Sequence, residues 1–170
     1  EDYWDFFMAS KALGGGALLD ESHWVDLMLW FLGNPESLYA KVDRVSDLKI
    51  DTDDNVDMII TYKDGRYVSI HLDIYGRPHE KYIRFIGEGG TILWTADPNR
   101  VSVGKDWSQA WENYEFDCER NDMFMAVGKE FIDIINGAEV KTCCINDGVR
   151  VLSLIEAARQ SSAEGRVVSL

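Results

Sequence analysis

A run of short strand-like segments joined by tight turns fills the middle of the chain and constrains the fold more than any other feature. Val, Ile and Tyr, which favour strands, are enriched in residues 38–47, 56–62 and 67–75. The Asp64-Gly65 pair before the last of these predicts a hairpin turn. Further strands fit residues 81–86, 91–94, 101–103 and 114–116. Strands that follow one another this closely predict an antiparallel meander.

Helical patterns flank this run of strands. On its N-terminal side, residues 20–32 predict a helix. After Arg120, apolar residues recur with a helical period until Gly137. Another helix fits residues 146–163, and a closing strand fits residues 167–170. This order predicts one domain of the α+β class, an open and mostly antiparallel β-sheet with helices packed on one face.

The strand at residues 67–75 divides its side chains between two faces. The apolar face is formed by Val68, Ile70, Leu72 and Ile74. The other face is formed by Tyr67, Ser69, His71, Asp73 and Tyr75. The first face should pack against the helices, whereas the second suits a ligand wall, a partner surface or solvent.

The charge of the chain argues against two classes of partner. With 30 acidic and 17 basic residues, it carries a net charge of −13. Such a balance disfavours binding to nucleic-acid phosphates and to anionic membranes. No apolar run reaches the roughly 20 residues of a membrane span, and no signal-peptide pattern opens the chain. We therefore expect a cytoplasmic protein that binds neither nucleic acid nor membranes.

One of the three histidines, His23, lies between two acids at helical spacing. At about 100° per residue, Asp20, His23 and Asp26 span roughly 120° of one helix face, with the imidazole in the middle. Flanking carboxylates can fix the tautomer of a histidine, which suits general acid–base chemistry. The same residues also fit a capped helix with a hydrogen-bonded boundary histidine and a solvated Asp26. A metal site is the least favoured interpretation.

Two nearby patterns do not indicate a cofactor or metal site on their own. Gly14, Gly15 and Gly16 do not follow a strand as G-x-G-x-x-G, so they are not a dinucleotide-binding fingerprint. Residues 51–57 begin with the acidic spacing of a calcium loop, but Val56 stands where that loop needs glycine. We expect a solvated acidic turn there and no metal.

A second polar group lies at the end of the strand 67–75 and just after it. Arg77 can hold a carboxylate or phosphate with two hydrogen bonds, and Tyr75 can pack on a sugar ring. His71 lies on the same polar strand face as Tyr75. The same face fits a subunit interface or plain surface equally well.

Four stretches follow one another in the chain: GGGALLDESHWVDLMLWFLG, VSIHLDIYGRP, IRFIGEGGTILW and DGVRVLSLIEAARQSSAEGRVVSL. In this order they resemble the C-terminal domain of the glucose-fructose oxidoreductase / inositol dehydrogenase (Gfo/Idh/MocA) family. The resemblance implies a two-domain enzyme whose N-terminal Rossmann domain binds NAD or NADP. Residues 1–170 would be its C-terminal substrate and oligomerisation domain. Members transfer a hydride to or from a sugar, a polyol or a nucleotide-linked sugar, and associate through the open sheet face as homodimers or tetramers.

The resemblance also implies roles for particular residues. His23 matches the proton-transfer histidine of the family, with Asp20 and Asp26 as the acids that orient it. The glycine loop would approach the cofactor. Substrate contacts would include Arg77, Tyr75 and His71.

The chain departs from the family pattern in two places. The acid found four residues before the histidine is Leu19 here, with Asp20 one position later. The Rossmann unit and the lysine of the E-K-P motif have no counterpart, and the sequence begins without Met. We therefore expect a domain of a longer enzyme that is inactive alone. The alternative is a stand-alone, non-enzymatic module that binds a sugar or dimerises through its sheet face.

Overall fold

The computed structural model describes residues 3–105, 107 and 110–170. This part of the chain contains the helices α1 (Ala17–Asp20), α2 (His23–Leu32), α3 (Arg120–Ile135) and α4 (Ile145–Glu164). Its strands are β1 (Ser37–Asp43), β2 (Asn55–Thr61), β3 (Tyr67–Asp73), β4 (Tyr82–Gly87), β5 (Gly90–Ala96), β6 (Asn99–Gly104), β7 (Glu112–Glu115) and β8 (Val168–Ser169). Three short 3-10 helices precede α1. No helix among the described residues is long and apolar enough to cross a membrane.

The chain divides into two compact units. The first comprises the residues up to Tyr75 together with Thr142–Leu170, and the second comprises Gly76–Lys141. Each unit contains one open, four-stranded sheet, with the order β3-β2-β1-β8 in the first and β4-β5-β6-β7 in the second. All the pairings are antiparallel. The predicted α+β class and antiparallel sheet are confirmed, with the strands shared between two sheets.

The core of the first unit lies between one face of its sheet and the helices α1, α2 and α4. The sheet contributes alternate residues, and the helices contribute the apolar stripes that face it. The most deeply buried of these side chains are Leu18, Val25, Leu38, Val56, Met58, Ile60 and Ile155. Val68 and Ile70 of β3 pack against this core, whereas Ser69 and His71 are exposed. The predicted division of this strand into two faces is confirmed.

Two serines of α4 complete the edge of β1 that β8 leaves open. β8 pairs only with Ser37 and Leu38. Beyond that point, the Ala40 N–H donates to Ser161 Oγ at 2.9 Å, and the Val42 N–H donates to Ser162 Oγ at 2.9 Å. Side chains of the helix therefore satisfy backbone donors that a longer strand would have paired.

The hairpin between β2 and β3 has the predicted Asp-Gly turn. The Tyr62 N–H donates to the Arg66 carbonyl at 3.0 Å, and Gly65 has a φ of +88°. Asp64 Oδ1 accepts a hydrogen bond from the Arg66 N–H at 3.2 Å. This turn fixes the register in which Val56 of β2 faces Leu72 of β3.

Two predicted elements depart from the observed ones in ways that bear on the site. The helix expected over residues 20–32 is interrupted by a turn at Glu21 and Ser22, because the Ser22 N–H bonds to Leu19 three residues back. The strand expected over residues 38–47 ends at Asp43.

The second unit combines its sheet with α3. A Cβ on Gly90, at the hairpin between β4 and β5, would lie 2.1 Å from the Gly104 carbonyl oxygen. Only glycine therefore fits where β5 begins. The helix α3 begins with a capping box formed by Glu119 and Asp122, and none of its side chains is buried.

Candidate functional site

The glycine loop, Gly14 to Gly16, leads directly into α1. Gly14 and Gly16 have φ values of +79° and +114°, a backbone region that favours glycine. A Cβ on Gly15 would lie 2.3 Å from the Phe7 carbonyl oxygen, and one on Gly16 would lie 2.4 Å from Asp53 Oδ1. Close contacts within the chain therefore require glycine at these two positions.

Two acidic residues fix this loop through hydrogen bonds. Asp51 Oδ1 accepts from the Lys11 N–H at 2.6 Å. The Asp53 carboxylate accepts from the Leu18 N–H at 2.8 Å, and its main-chain carbonyl accepts from the Ala17 N–H at 2.9 Å. The expectation of a merely solvated acidic turn is wrong for these two acids, because they bond backbone donors before and within α1.

The neighbouring Asp54 is fully buried. Its carboxylate accepts from the Val45 N–H at 2.7 Å and from both the N–H and the hydroxyl of Ser46. Burial raises the pKa of Asp54, but these hydrogen bonds and the charge of Arg44 outweigh it and lower the pKa below its usual value. The chain turns around this carboxylate directly after Asp43, where β1 ends.

His23 is the first residue of α2, and 53% of its side chain is exposed. Glu21, in the turn between α1 and α2, places its Oε2 3.3 Å from His23 Nε2. The same oxygen accepts a hydrogen bond from Trp24 Nε1–H at 2.8 Å. The Trp24 and His23 rings lie 5.2 Å apart between centroids, tilted by 39°. We call these three residues the His23 cluster, in which an exposed imidazole faces a carboxylate that is itself held in place.

The predicted acids Asp20 and Asp26 do not form a continuous helical face with His23. Asp20 ends α1, and Asp26 lies in the first turn of α2. The turn at Glu21 and Ser22 separates Asp20 from the helix of His23, whereas His23 and Asp26 remain three residues apart on α2. Glu21 supplies a carboxylate at ion-pair distance from His23. Sequence reasoning missed it because a residue two positions away points elsewhere on an unbroken helix.

A second polar network lies on the exposed face of the first sheet. His71 Nδ1 is hydrogen-bonded to Asp57 Oδ1 at 2.8 Å, and Nε2 lies 3.3 Å from Asp73 Oδ2. The hydrogen bond to Asp57, opposed by partial burial and assisted by the charges of both acids, raises the pKa of His71. Burial raises the pKa of Asp57, but the bonds from His71 and Asn55 outweigh it and lower the pKa.

Tyr75 extends this network. Its hydroxyl donates to Asn55 Oδ1 at 2.8 Å, and Asn55 Nδ2 donates to Asp57 Oδ2 at 3.0 Å. Arg77 belongs to the second unit, where its Nη1 donates to the Gly76 carbonyl at 2.6 Å. The structure therefore brings the predicted histidine and tyrosine of this group into one network. Among the described residues, no cluster of His, Cys, Asp and Glu could hold a metal ion.

These features together define a class of domain. An open antiparallel sheet is covered on one face by helices, and a glycine loop leads to an exposed histidine beside a carboxylate. A histidine in this setting can accept and return a proton. The first unit is therefore part of an α+β domain suited to acid–base chemistry.

The chain belongs to the Gfo/Idh/MocA oxidoreductase family. Its match is to the family described as "Oxidoreductase family, C-terminal alpha/beta domain", and it covers residues 5–170. The predicted family is confirmed, and the matched range includes both units of the fold. No curated protein matches the sequence.

Several solved structures share this fold. The WlbA dehydrogenase from Bordetella pertussis, in complex with NADH and UDP-GlcNAcA, is 23% identical with a TM-score of 0.74, over 99% of this chain and 50% of that one. GenD2 from gentamicin A biosynthesis, in complex with NAD, is 25% identical with a TM-score of 0.76, and the match covers 96% of this chain and 51% of that chain. Levoglucosan dehydrogenase, in complex with NADH and levoglucosan, is 17% identical with a TM-score of 0.80, and the match covers 97% of this chain and 53% of that chain. The chain thus spans about half the length of these proteins.

Proposed function

We propose that this chain is the C-terminal substrate and oligomerisation domain of an NAD(P)-dependent oxidoreductase that acts on a sugar, a polyol or a nucleotide-linked sugar. The family match over residues 5–170 carries this proposal. The similar structures include one dehydrogenase bound to NADH and UDP-GlcNAcA and another bound to NADH and levoglucosan. An N-terminal Rossmann domain outside this chain would bind NAD or NADP, and the chain alone would be inactive.

The glycine loop bears on how this chain would meet such a cofactor. Gly15 and Gly16 face atoms of the chain itself, whereas a Cβ on Gly14 would meet nothing within 4 Å. The sequence also lacks the G-x-G-x-x-G unit that holds a pyrophosphate. The residues present therefore do not fit a dinucleotide site by themselves. The open side of Gly14 is the part of the loop able to border a cofactor held elsewhere, which would supply hydride transfer.

His23 is the proposed proton-transfer residue. When a substrate alcohol is oxidised, its carbon loses a hydride and its oxygen loses a proton. An exposed imidazole can accept that proton, and it can return one when the carbonyl is reduced. Asp20 and Asp26 are the proposed supporting acids, because they stand on the chain to either side of this histidine.

Tyr75, His71 and Arg77 are the proposed substrate contacts. The Tyr75 ring offers a flat surface for a sugar, and the Arg77 guanidinium offers paired donors for a carboxylate or phosphate. His71 and the Tyr75 hydroxyl already bond to Asp57 and Asn55. A substrate that binds there would extend or exchange these hydrogen bonds.

Association through the outer face of the first sheet is also part of the proposal. This face is opposite the helices and exposes Tyr39, Ile59 and Tyr67 by 42%, 53% and 74%. Exposed aromatic and aliphatic side chains among polar ones suit a subunit interface. A homodimer or tetramer formed in this way would leave the His23 cluster on the helix side of the sheet. His71 lies on the outer face, so its proposed substrate contact and this interface would compete for the same surface.

Turnover by the full-length protein that contains this chain tests the proposal. UDP-GlcNAcA and levoglucosan serve as probes, each with NAD⁺ and NADP⁺, and reduced cofactor is followed by absorbance. We expect turnover of a probe from this class, and a loss of roughly 100-fold or more in kcat for His23→Ala. His79→Ala, an exposed histidine of the second unit, is the matched control and should retain turnover. Near-normal kcat in His23→Ala would refute the proton-transfer role.

A stand-alone, non-enzymatic module that binds a sugar or dimerises is the second candidate. The exposed Tyr39, Ile59 and Tyr67 on the outer face of the first sheet favour it, because such side chains suit a dimer contact that needs no cofactor. The gene sequence upstream of Glu1 separates the two candidates. A strand, a G-x-G-x-x-G turn and a helix encoded there would support the enzyme, whereas a start codon immediately before Glu1 would support the module.

A further inference from the structure

The Glu21 carboxylate is held in place beside His23. Its side chain is only 17% exposed, against 53% for His23. Trp24 Nε1–H donates to Glu21 Oε2 at 2.8 Å, and that oxygen lies 3.3 Å from His23 Nε2. One oxygen therefore contacts both the indole and the imidazole.

Trp24 connects this carboxylate to the core of the first unit. The indole N–H can only donate a hydrogen bond. Trp24 therefore holds the Glu21 carboxylate but offers no acceptor to His23. The Trp24 side chain is partly buried and packs against the hydrophobic core. The packing of Trp24 thus limits where Glu21 can move, and Glu21 in turn limits the orientation of the imidazole.

The position of His23 makes a nearby negative charge useful. His23 is the first residue of α2, and the dipole of a helix disfavours positive charge at its N-terminus. A histidine that accepts a proton there becomes positive, and a carboxylate at ion-pair distance offsets that penalty. Glu21 supplies a carboxylate at this distance.

We propose that Glu21 is the positioning residue for His23 and that it selects Nδ1 as the atom that exchanges the substrate proton. The proposal rests on the proton-transfer role proposed above for His23. A carboxylate opposite Nε2 favours the neutral tautomer with hydrogen on Nε2, so the lone pair of the base lies on Nδ1. Nδ1 then accepts the hydroxyl proton of the substrate, and the resulting imidazolium remains paired with Glu21.

The first test requires no substrate. In the ¹⁵N-labelled chain at alkaline pH, the ¹⁵N shifts of the ring nitrogens report which nitrogen carries the hydrogen. We expect His23 to favour hydrogen on Nε2 more strongly than His79 does, and Glu21→Gln to reduce this excess, because a neutral amide oxygen is a weaker acceptor than a carboxylate. Glutamine can still accept the Trp24 indole N–H, so an unchanged Trp24 indole signal shows that the local fold is kept. Glu36→Gln, the same change at an exposed glutamate beyond the C-terminal end of α2, is the matched control and should leave the His23 tautomer unchanged.

The second test measures kinetics in the full-length protein with whichever of the two probes it turns over. Glu21→Gln should lower kcat roughly tenfold at nearly constant KM, less than the loss from His23→Ala. If His23→Ala is inactive but Glu21→Gln has normal kcat, the Glu21 proposal fails while the function stands. If His23→Ala is fully active, the proton-transfer role of His23 fails and the Glu21 proposal fails with it, whereas the proposed oxidoreductase function stands because turnover is still observed. An unchanged tautomer in Glu21→Gln would overturn the positioning role whatever the kinetics show.

Discussion

Two glycines of the loop before α1 are both in left-handed backbone conformations but differ in their surroundings. Alanine at Gly16 would meet Asp53 Oδ1 at 2.4 Å, whereas alanine at Gly14 would meet nothing within 4 Å. Both changes strain the backbone, by about 1 kcal/mol. Gly16→Ala should also displace Asp53, and lose roughly 1–3 kcal/mol more of unfolding free energy than Gly14→Ala. Urea denaturation of the two variants measures this difference, and equal losses would contradict it.

The role of these glycines could be predicted only in part. The sequence shows the triple glycine, and the family resemblance assigns it to a cofactor-facing loop. The contacts that exclude a Cβ come from Phe7 and from Asp53, which is 37 residues after Gly16 in the sequence. No local pattern contains that information, because it depends on how distant segments pack.

The His71 network predicts a pH dependence of stability. The pKa of His71 is raised, so its contribution is fully present below the unfolded value of about 6.5 and is lost as pH rises through the folded pKa. The pKa of Asp57 is lowered, so its contribution is lost as pH falls below about 3.9. The pair should therefore stabilise most between these limits, by less than about 1 kcal/mol because both side chains are over half exposed.

Urea unfolding of wild type and His71→Gln at about pH 5.5 and about pH 9 checks this. The difference in unfolding free energy between wild type and His71→Gln should be smaller at the higher pH. His79→Gln is the matched control, since this exposed histidine lies outside the network. An advantage that is equal at both pH values would show that His71 does not act through its charge.

At the level of elements, the shortness of β8 makes the first sheet depend on α4. Ser161 is fully buried, accepts from the Ala40 N–H at 2.9 Å and donates to the Arg166 carbonyl at 2.6 Å. Ser161→Ala leaves both backbone groups without this partner, and should cost about 1–3 kcal/mol of unfolding free energy. Ser153→Ala, on an exposed turn of the same helix, should cost less than about 0.5 kcal/mol.

Hydrogen exchange in the same variants locates the effect. The Ala40 amide should exchange faster in Ser161→Ala and at the wild-type rate in Ser153→Ala. If Ser161→Ala unfolded at the wild-type urea concentration, the hydroxyl would not be what completes the β1 edge.

The strands were predictable because their pattern is local, and the exceptions have non-local causes. Alternation in β3 and the Asp-Gly turn before it depend on neighbouring residues only. The early end of β1 depends on Asp54, whose buried carboxylate binds Val45 and Ser46 from across the turn. The break between α1 and α2 likewise falls within a sequence whose pattern predicts one helix, so the contact between Glu21 and His23 could not be predicted from helical spacing.

At the scale of the whole molecule, a twofold contact between outer sheet faces is the most direct consequence of the proposed function. Tyr39 and Ile59 are cross-strand neighbours, and Ile59 also faces Ser69 on β3. A stable interface needs about 800 Å² from each partner, which a four-stranded face can supply. In such a self-complementary contact each residue appears twice, so one substitution changes the interface on both subunits.

Ile59→Arg should therefore convert the assembly to monomers without unfolding it, because Ile59 is 53% exposed. A buried, unpaired guanidinium on each side would cost several kcal/mol of association free energy, roughly a thousandfold in Kd. The matched control is Ile86→Arg on the second sheet, where isoleucine is 78% exposed and association should be unaffected. Native mass spectrometry across a concentration series distinguishes the outcomes. A monomeric wild type at high concentration would exclude the sheet-face contact, and dissociation by Ile86→Arg alone would place the interface on the second unit.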